Sequence, residues 1–200
     1  MIDNIKHLVI DMLAFSWPMV AISMVIFVSL RIVYLITKKE RFVLYKEILL
    51  VVFVIYILCL FQVVTFKDVS WSGSNFIPGK EIFRYEVGSS MFYRNIFGNM
   101  LLFLPYGFLV SYFFDIKRVY IPLILISIAS LSIELTQLVI GRVFDVDDIL
   151  LNIIGGLIGY FLYHVLDIIE DKIPKKLKKE WILDVLVILL AIGIGCVLFL

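Results

Sequence analysis

The sequence predicts an all-α fold: a polytopic transmembrane bundle of about six helical spans forming a single membrane domain over residues 1–200, with both termini on the outer side. Three observations carry this expectation. The 200-residue chain is 62% hydrophobic with a mean hydropathy of +1.07, more apolar surface than one water-soluble core can hide. Its apolar residues come in runs of about 20 rather than alternating segments of about ten. Lipid offers no partner to backbone N–H and C=O groups, so such runs are read as helices with internally paired backbones. Finally, the basic residues fall in connectors between the runs and are unequally shared between alternate connectors.

The first span is expected over 12–36, with Ser16-Trp17-Pro18 at its outer end, where Trp suits the interface. It is too long for a signal-peptide core and lacks a small-residue cleavage site. Arg31 lies near its inner end and can snorkel to that side. A second span, 44–66, leads into the one long loop, 67–92. The third span, 93–114, carries Asn95 and Asn99 one turn apart on one face, then Pro105 and Gly107. Proline removes a helix hydrogen bond, so a kink or an unwound turn is expected there, leaving the carbonyl near Leu101 in need of a partner. The fourth span, 119–140, has Glu134 and Gln137 on one face of its last turns. The fifth, 149–169, is introduced by Asp148, with Asn152 one turn on, and continues through Gly155, Gly156 and Gly159. Gly155 and Gly159 form a small-xxx-small pair that lets two helix backbones approach closely. An additional C-terminal span is expected over 181–200.

Orientation follows from the basic residues. One side holds Lys38, Lys39, Arg41, Lys46, Lys117, Arg118, Lys172, Lys175, Lys176, Lys178 and Lys179. The other holds Lys6, Lys67, Lys80, Arg84, Arg94 and Arg142. The richer side is read as cytoplasmic. The run from Lys172 to Lys179 serves as a topology determinant, with an anionic-lipid patch as the other reading.

Several function classes find no support. A net charge of +1 gives no case for nucleic acid. Cys59 and Cys196 lie inside apolar runs and read as small hydrophobes. His7 and His164 stand away from the other polar groups, and no Ser or Cys nucleophile lies beside a His, so a triad hydrolase is poorly supported.

What remains is a polar cluster at the outer ends of three consecutive spans: Asn95, Asn99, Glu134, Gln137, Arg142, Asp145, Asp148 and Asn152. An ionisable residue within a span, such as Glu134, is costly in lipid and is by default a functional candidate. The structural reading is an interhelical clamp in which Asn95 and Asn99 hold Glu134 or Gln137. In the acidic connector, Asp147 or Asp148 is expected to cap the fifth helix. Arg142 could pair with these carboxylates or grip a phosphate. No metal or other cofactor is predicted. Asp145, Asp147 and Asp148 have the hard oxygens a divalent cation takes, but no His or Cys joins them.

The stretch Asn95-Ile-Phe-Gly-Asn-Met-Leu-Leu-Phe-Leu-Pro-Tyr-Gly107 resembles the central motif of the VanZ-like proteins, and Ser132-Ile-Glu-Leu-Thr-Gln137 is similar to a second. Gly141-Arg-Val-Phe-Asp-Val-Asp-Asp148 and the following Ile-Leu-Leu-Asn152 through Gly156 resemble the family's last signature. Asn75-Phe-Ile-Pro78 resembles a short element of its outer loop, with Phe76 in place of the usual Leu. The similarity spans about residues 45–165. It implies a multi-pass protein of the bacterial cytoplasmic membrane, of the kind named for low-level teicoplanin (glycopeptide) resistance. It also implies that Asn95, Asn99, Pro105, Glu134, Gln137, Arg142, Asp145, Asp148 and Asn152 are site residues.

Three functions compete. The first is a non-enzymatic factor that binds a lipid-linked envelope precursor or a lipophilic glycopeptide at the outer leaflet. The second is an integral-membrane enzyme acting on a lipid-linked phosphate or sugar, with Glu134 as acid or base and Asp145 and Asp148 holding a cation or substrate. The third is a small transporter whose Gly and Pro interruptions unwind around a substrate, although the chain shows no inverted repeat.

Overall fold

The computed structural model of the protein describes residues 2–65, 74–84, 86, 89–172 and 184–185. Its long elements are helices: α1 (Ile2–Lys38), α2 (Leu44–Thr65), α3 (Ser90–Phe114), α4 (Tyr120–Val139) and α5 (Val146–Lys172). A short 3-10 turn, Ile82–Arg84, lies between α2 and α3, and among the described residues no strand forms beyond one isolated bridge, Asn75 with Asp145. All five helices contain a stretch long and apolar enough to cross a membrane: Trp17–Lys38, Leu44–Phe61, Ser90–Phe114, Tyr120–Val139 and Val146–Ile169. These correspond to the first five expected spans, except that α1 begins at Ile2 rather than at 12, α3 at Ser90 rather than at 93 and α5 at Val146 rather than at 149. The expected span 181–200 falls almost entirely outside the described residues.

The chain divides into two compact units, residues 1–63 with 173–200, and 64–172. In the first, Arg31 donates from Nε and Nη2 to the two carboxylate oxygens of Glu47 at 2.9 and 2.8 Å. This two-pronged pair ties α1 to the first turn of α2. Arg31 is thus held by a carboxylate on the neighbouring helix. Glu47→Ala is expected to cost about 2 kcal/mol, between the values for exposed and buried pairs, because it strands the guanidinium. Thermal unfolding in detergent micelles should recover in the double variant Arg31→Leu, Glu47→Leu, which leaves neither charge unpaired. Failure to recover would show that the pair contributes more than mutual neutralisation.

In the second unit α5 packs against both α3 and α4, with its larger interface on α3. Glycines set that spacing. A Cβ on Gly107 would overlap the Gly156 carbonyl, one on Gly155 the Met100 carbonyl, and one on Gly159 the Leu104 carbonyl. Gly156 serves the other side, where a Cβ would run into the Ile126 side chain of α4. Phe103, Leu109 and Val110 of α3, Ile126 of α4, and Leu151, Tyr160 and Tyr163 of α5 fill the interior. The outward faces carry Leu101, Ile124, Ile128, Leu135, Ile154 and Phe161, an exposed apolar belt suited to lipid. Of the kink or unwound turn expected at Pro105, the unwound turn does not form: α3 is unbroken from Ser90 to Phe114.

At the end of this unit opposite the acidic connector, the α3–α4 turn is locked onto α5. Lys117 Nζ reaches Asp115 at 2.7 Å and Asp167 at 2.9 Å, and Tyr163 donates to Asp115 at 2.7 Å. The Lys117 ammonium, followed by the Tyr163 hydroxyl, holds the Asp115 carboxyl below the usual range. His164 packs edge-on against Tyr160 at 4.5 Å between centroids, within this lock rather than near the acidic connector.

Candidate functional site

The site is built outward from one face of α4. Pro122, Ile126, Ser130, Glu134 and Gln137 are buried at steps of three and four, so this face points inward along the whole helix. Glu134 is only 1% exposed. Beyond α4 the chain turns at Gly141, whose φ of 82° is easy only for glycine, and Arg142 N–H donates to the Gln137 carbonyl at 2.8 Å. The chain then returns past buried Phe144, and Asp145 N–H donates to Glu134 Oε2 at 2.9 Å. Donor and acceptor chemistry sets the Gln137 amide so that its nitrogen donates to Glu134 Oε1 and its oxygen accepts from Arg142 Nη1, each at 3.0 Å. Arg142, Gln137, Glu134 and Asp145 therefore form one continuous chain of hydrogen bonds.

The N-terminus of α5 holds a second set. Asp145 Oδ1 accepts from Asp147 N–H at 2.9 Å, so Asp145 caps the helix. The expected cap was Asp147 or Asp148; because α5 starts at Val146, both of these lie inside its first turn. Burial pushes the Asp145 carboxyl upward, against hydrogen bonds from Asn75 and Asp147. Asp147 turns to the long loop instead. Its carboxylate accepts from the backbone N–H groups of Gly79 at 2.5 Å, Glu81 at 2.7 Å and Ile82 at 3.2 Å, and from Asn75 Nδ2 at 3.3 Å. Asn75 completes the junction. It donates from Nδ2 to Asp145 Oδ1 at 2.9 Å, and its backbone pairs with Phe144 and Val146.

The remaining candidates link helices pairwise. Asn99 donates to Asp148 Oδ1, joining α3 to α5. Asn152 donates to Ser130 Oγ at 2.9 Å, joining α5 to α4, while its own Oδ1 is buried with no partner among the described residues. The expected clamp of Asn95 and Asn99 on Glu134 or Gln137 is not what forms. Asn99 binds Asp148, Gln137 and Asp145 hold Glu134, and the structure gives Asn95 no hydrogen bond to these groups. Among the described residues no three His, Cys, Asp or Glu side chains converge as a metal-binding group.

Asn75, Ser130 and the loop amides of Gly79, Glu81 and Ile82 are the parts that residue spacing did not bring into the site. Ser130 had a signal, standing one turn before Glu134 on the same face of α4. Asn75 belonged to a quoted motif with no role attached, since nothing local in sequence connects it to a connector 70 residues away.

Comparison with known proteins agrees on one point. No curated protein and no solved structure matches the chain. The VanZ/LLP1 family model matches residues 47–167, which include every hydrogen-bonded residue of the acidic connector, the loop and the ends of α3, α4 and α5 described above. That match covers more than half of the sequence, and the chain belongs to the VanZ/LLP1 family.

Proposed function

We propose that this VanZ-like membrane protein binds a lipid-linked envelope precursor, or the lipophilic tail and polar head of a glycopeptide, at the polar ends of α3, α4 and α5. In this reading the site faces the outer leaflet of a bacterial cytoplasmic membrane, the chain makes six spans, and both termini lie outside. The observation that supports it is the run of hydrogen bonds from Arg142 through Gln137 and Glu134 to Asp145, mounted on helices whose sides are apolar and exposed. A cation with planar donors at the rim, carboxylates behind it and lipid-facing walls below suit a ligand with an anionic or hydrogen-bonding head and an acyl tail.

Binding is favoured over catalysis by the state of Glu134. Both its oxygens accept hydrogen bonds within the protein and its side chain is closed off from solvent, so a general acid or base role would require the connector to open first. Expression in a sensitive Gram-positive host is expected to raise the inhibitory concentration of a lipidated glycopeptide more than that of a non-lipidated one. Arg142→Ala should abolish the difference at equal membrane abundance. An identical susceptibility profile with and without the protein would sink the resistance form of the proposal. Activity on a lipid-linked substrate that disappears on chelation and in Glu134→Gln would favour the enzyme.

A further inference from the structure

We propose that the loop 74–84 is an interfacial wedge, seated in the bilayer leaflet at the end of the α3–α5 unit where α3 and α5 begin and α4 ends. Three large apolar side chains in this short segment face outward: Phe76 is 65% exposed, Ile77 63% and Phe83 86%. Such exposure is costly in water and favourable at the boundary between head groups and acyl chains. The segment is not loosely draped. Asp147, from within the unit, accepts three of its backbone N–H groups, Asn75 bridges to the connector, and Phe76 stacks on Phe144 with ring centroids 5.2 Å apart. At the tip, Gly79 has a φ of 85° and lies under the Phe83 ring, so the turn and the aromatic side chain fix one another.

The identity of the occupant follows from continuity. The same end of the unit presents Met91, Tyr93 and Phe97 on α3 and Val139 and Ile140 at the end of α4, all exposed, and these run on into the lipid-facing belt of the helices. A wedge at this level extends the surface already in contact with lipid. Charge does not draw it there: Lys80 and Arg84 are balanced by Glu81 and Glu86, and Arg84 pairs with Glu81 at 3.0 Å. Seating should therefore need no anionic lipid. The carboxylate of Asp147 acts as the positioning group that holds the wedge at its angle.

The 200-residue chain carrying Cys59→Ser and Cys196→Ser accepts an environment-sensitive fluorophore at Phe83→Cys, at Ile77→Cys, or at Arg118→Cys as an exposed reference at the opposite end. In phosphatidylcholine vesicles, the labels at 77 and 83 are expected to emit to the blue of the label at 118. They should be quenched by lipids with a shallow nitroxide and lose their response to aqueous iodide. Iodide quenching equal to that at 118 would overturn the proposal by placing the loop in water. Protection from both quenchers would overturn it by showing a protein cover, such as a second copy. Adding Asp147→Asn should restore iodide quenching at 77 and 83 with helical content unchanged; no restoration would remove Asp147 from the role given to it. None of these outcomes depends on the ligand-binding proposal.

Discussion

Gly107→Ala is expected to push α3 and α5 apart and lower the stability of their unit by about 2 kcal/mol or more, one of the two largest effects predicted for single substitutions here. The added methyl would occupy the position of the Gly156 carbonyl. That obstacle is helical backbone, which has no alternative rotamer, so the helices must shift as bodies and lose contact along their length. Overpacking of this kind costs about 1–3 kcal/mol and sometimes more. Alanine returns up to about 1 kcal/mol through its better helix propensity. Gly98→Ala isolates the second effect, because nothing lies within 4 Å of a Cβ there. It should leave stability unchanged or raise it by up to about 1 kcal/mol. Unfolding of the purified protein in mixed micelles, titrated with a denaturing detergent, reads both. Equal midpoints for the two variants would refute the close-packing account. Gly155→Ala and Gly159→Ala, each opposed by a carbonyl of α3, should behave like Gly107→Ala.

Asp147→Asn should release the loop at a cost of about 3 kcal/mol while leaving the helices in place. The substitution is nearly isosteric, so packing changes little. What changes is that an NH2 group replaces one oxygen of a carboxylate that faces only donors: Gly79, Glu81 and Ile82 N–H and the Asn75 amide. Charge-assisted hydrogen bonds are lost, and partly buried N–H groups are left facing another donor. Trypsin cleavage after Lys80 and Arg84, both exposed on the loop, should speed up severalfold with circular dichroism unchanged. Asp148→Asn is the contrast. An amide there keeps an oxygen for the Asn99 donor, so its effect should be smaller. If both variants were cut at the wild-type rate, the loop would owe its position to something other than Asp147.

These two positions illustrate what one-dimensional reasoning can reach. The helices were legible because lipid leaves a backbone no choice: an apolar run of spanning length must pair its own N–H and C=O groups. Glu134 and Gln137 could be set on one face of α4, and Gly155 and Gly159 on one face of α5, from the helical repeat alone. The partner of each could not. In the clamp reading Asn99 would hold Glu134 or Gln137; it instead holds Asp148, because the register of α3 against α5 is decided by where Gly107, Gly155 and Gly159 allow backbones to touch. Asp147 or Asp148 was expected to cap the fifth helix, and Asp147 does not. It serves the loop because α5 begins earlier, at Val146, and Asp145 takes the cap.

By itself, then, the sequence determined an all-helical membrane protein of the VanZ/LLP1 family and the end of the bundle at which its polar residues gather. The helices and the placement of the polar residues rest on composition and on periodicities of a few residues, and the family on short ordered motifs between Asn75 and Gly156, all of which are local in sequence. Only the tertiary structure decided which donor meets which acceptor, that the 74–84 loop closes over the α4–α5 connector, and that Asn75 and Asp147 are its anchors. Contacts between residues 70 positions apart depend on helix register and turn geometry, quantities set by close packing and carried by no single stretch of chain.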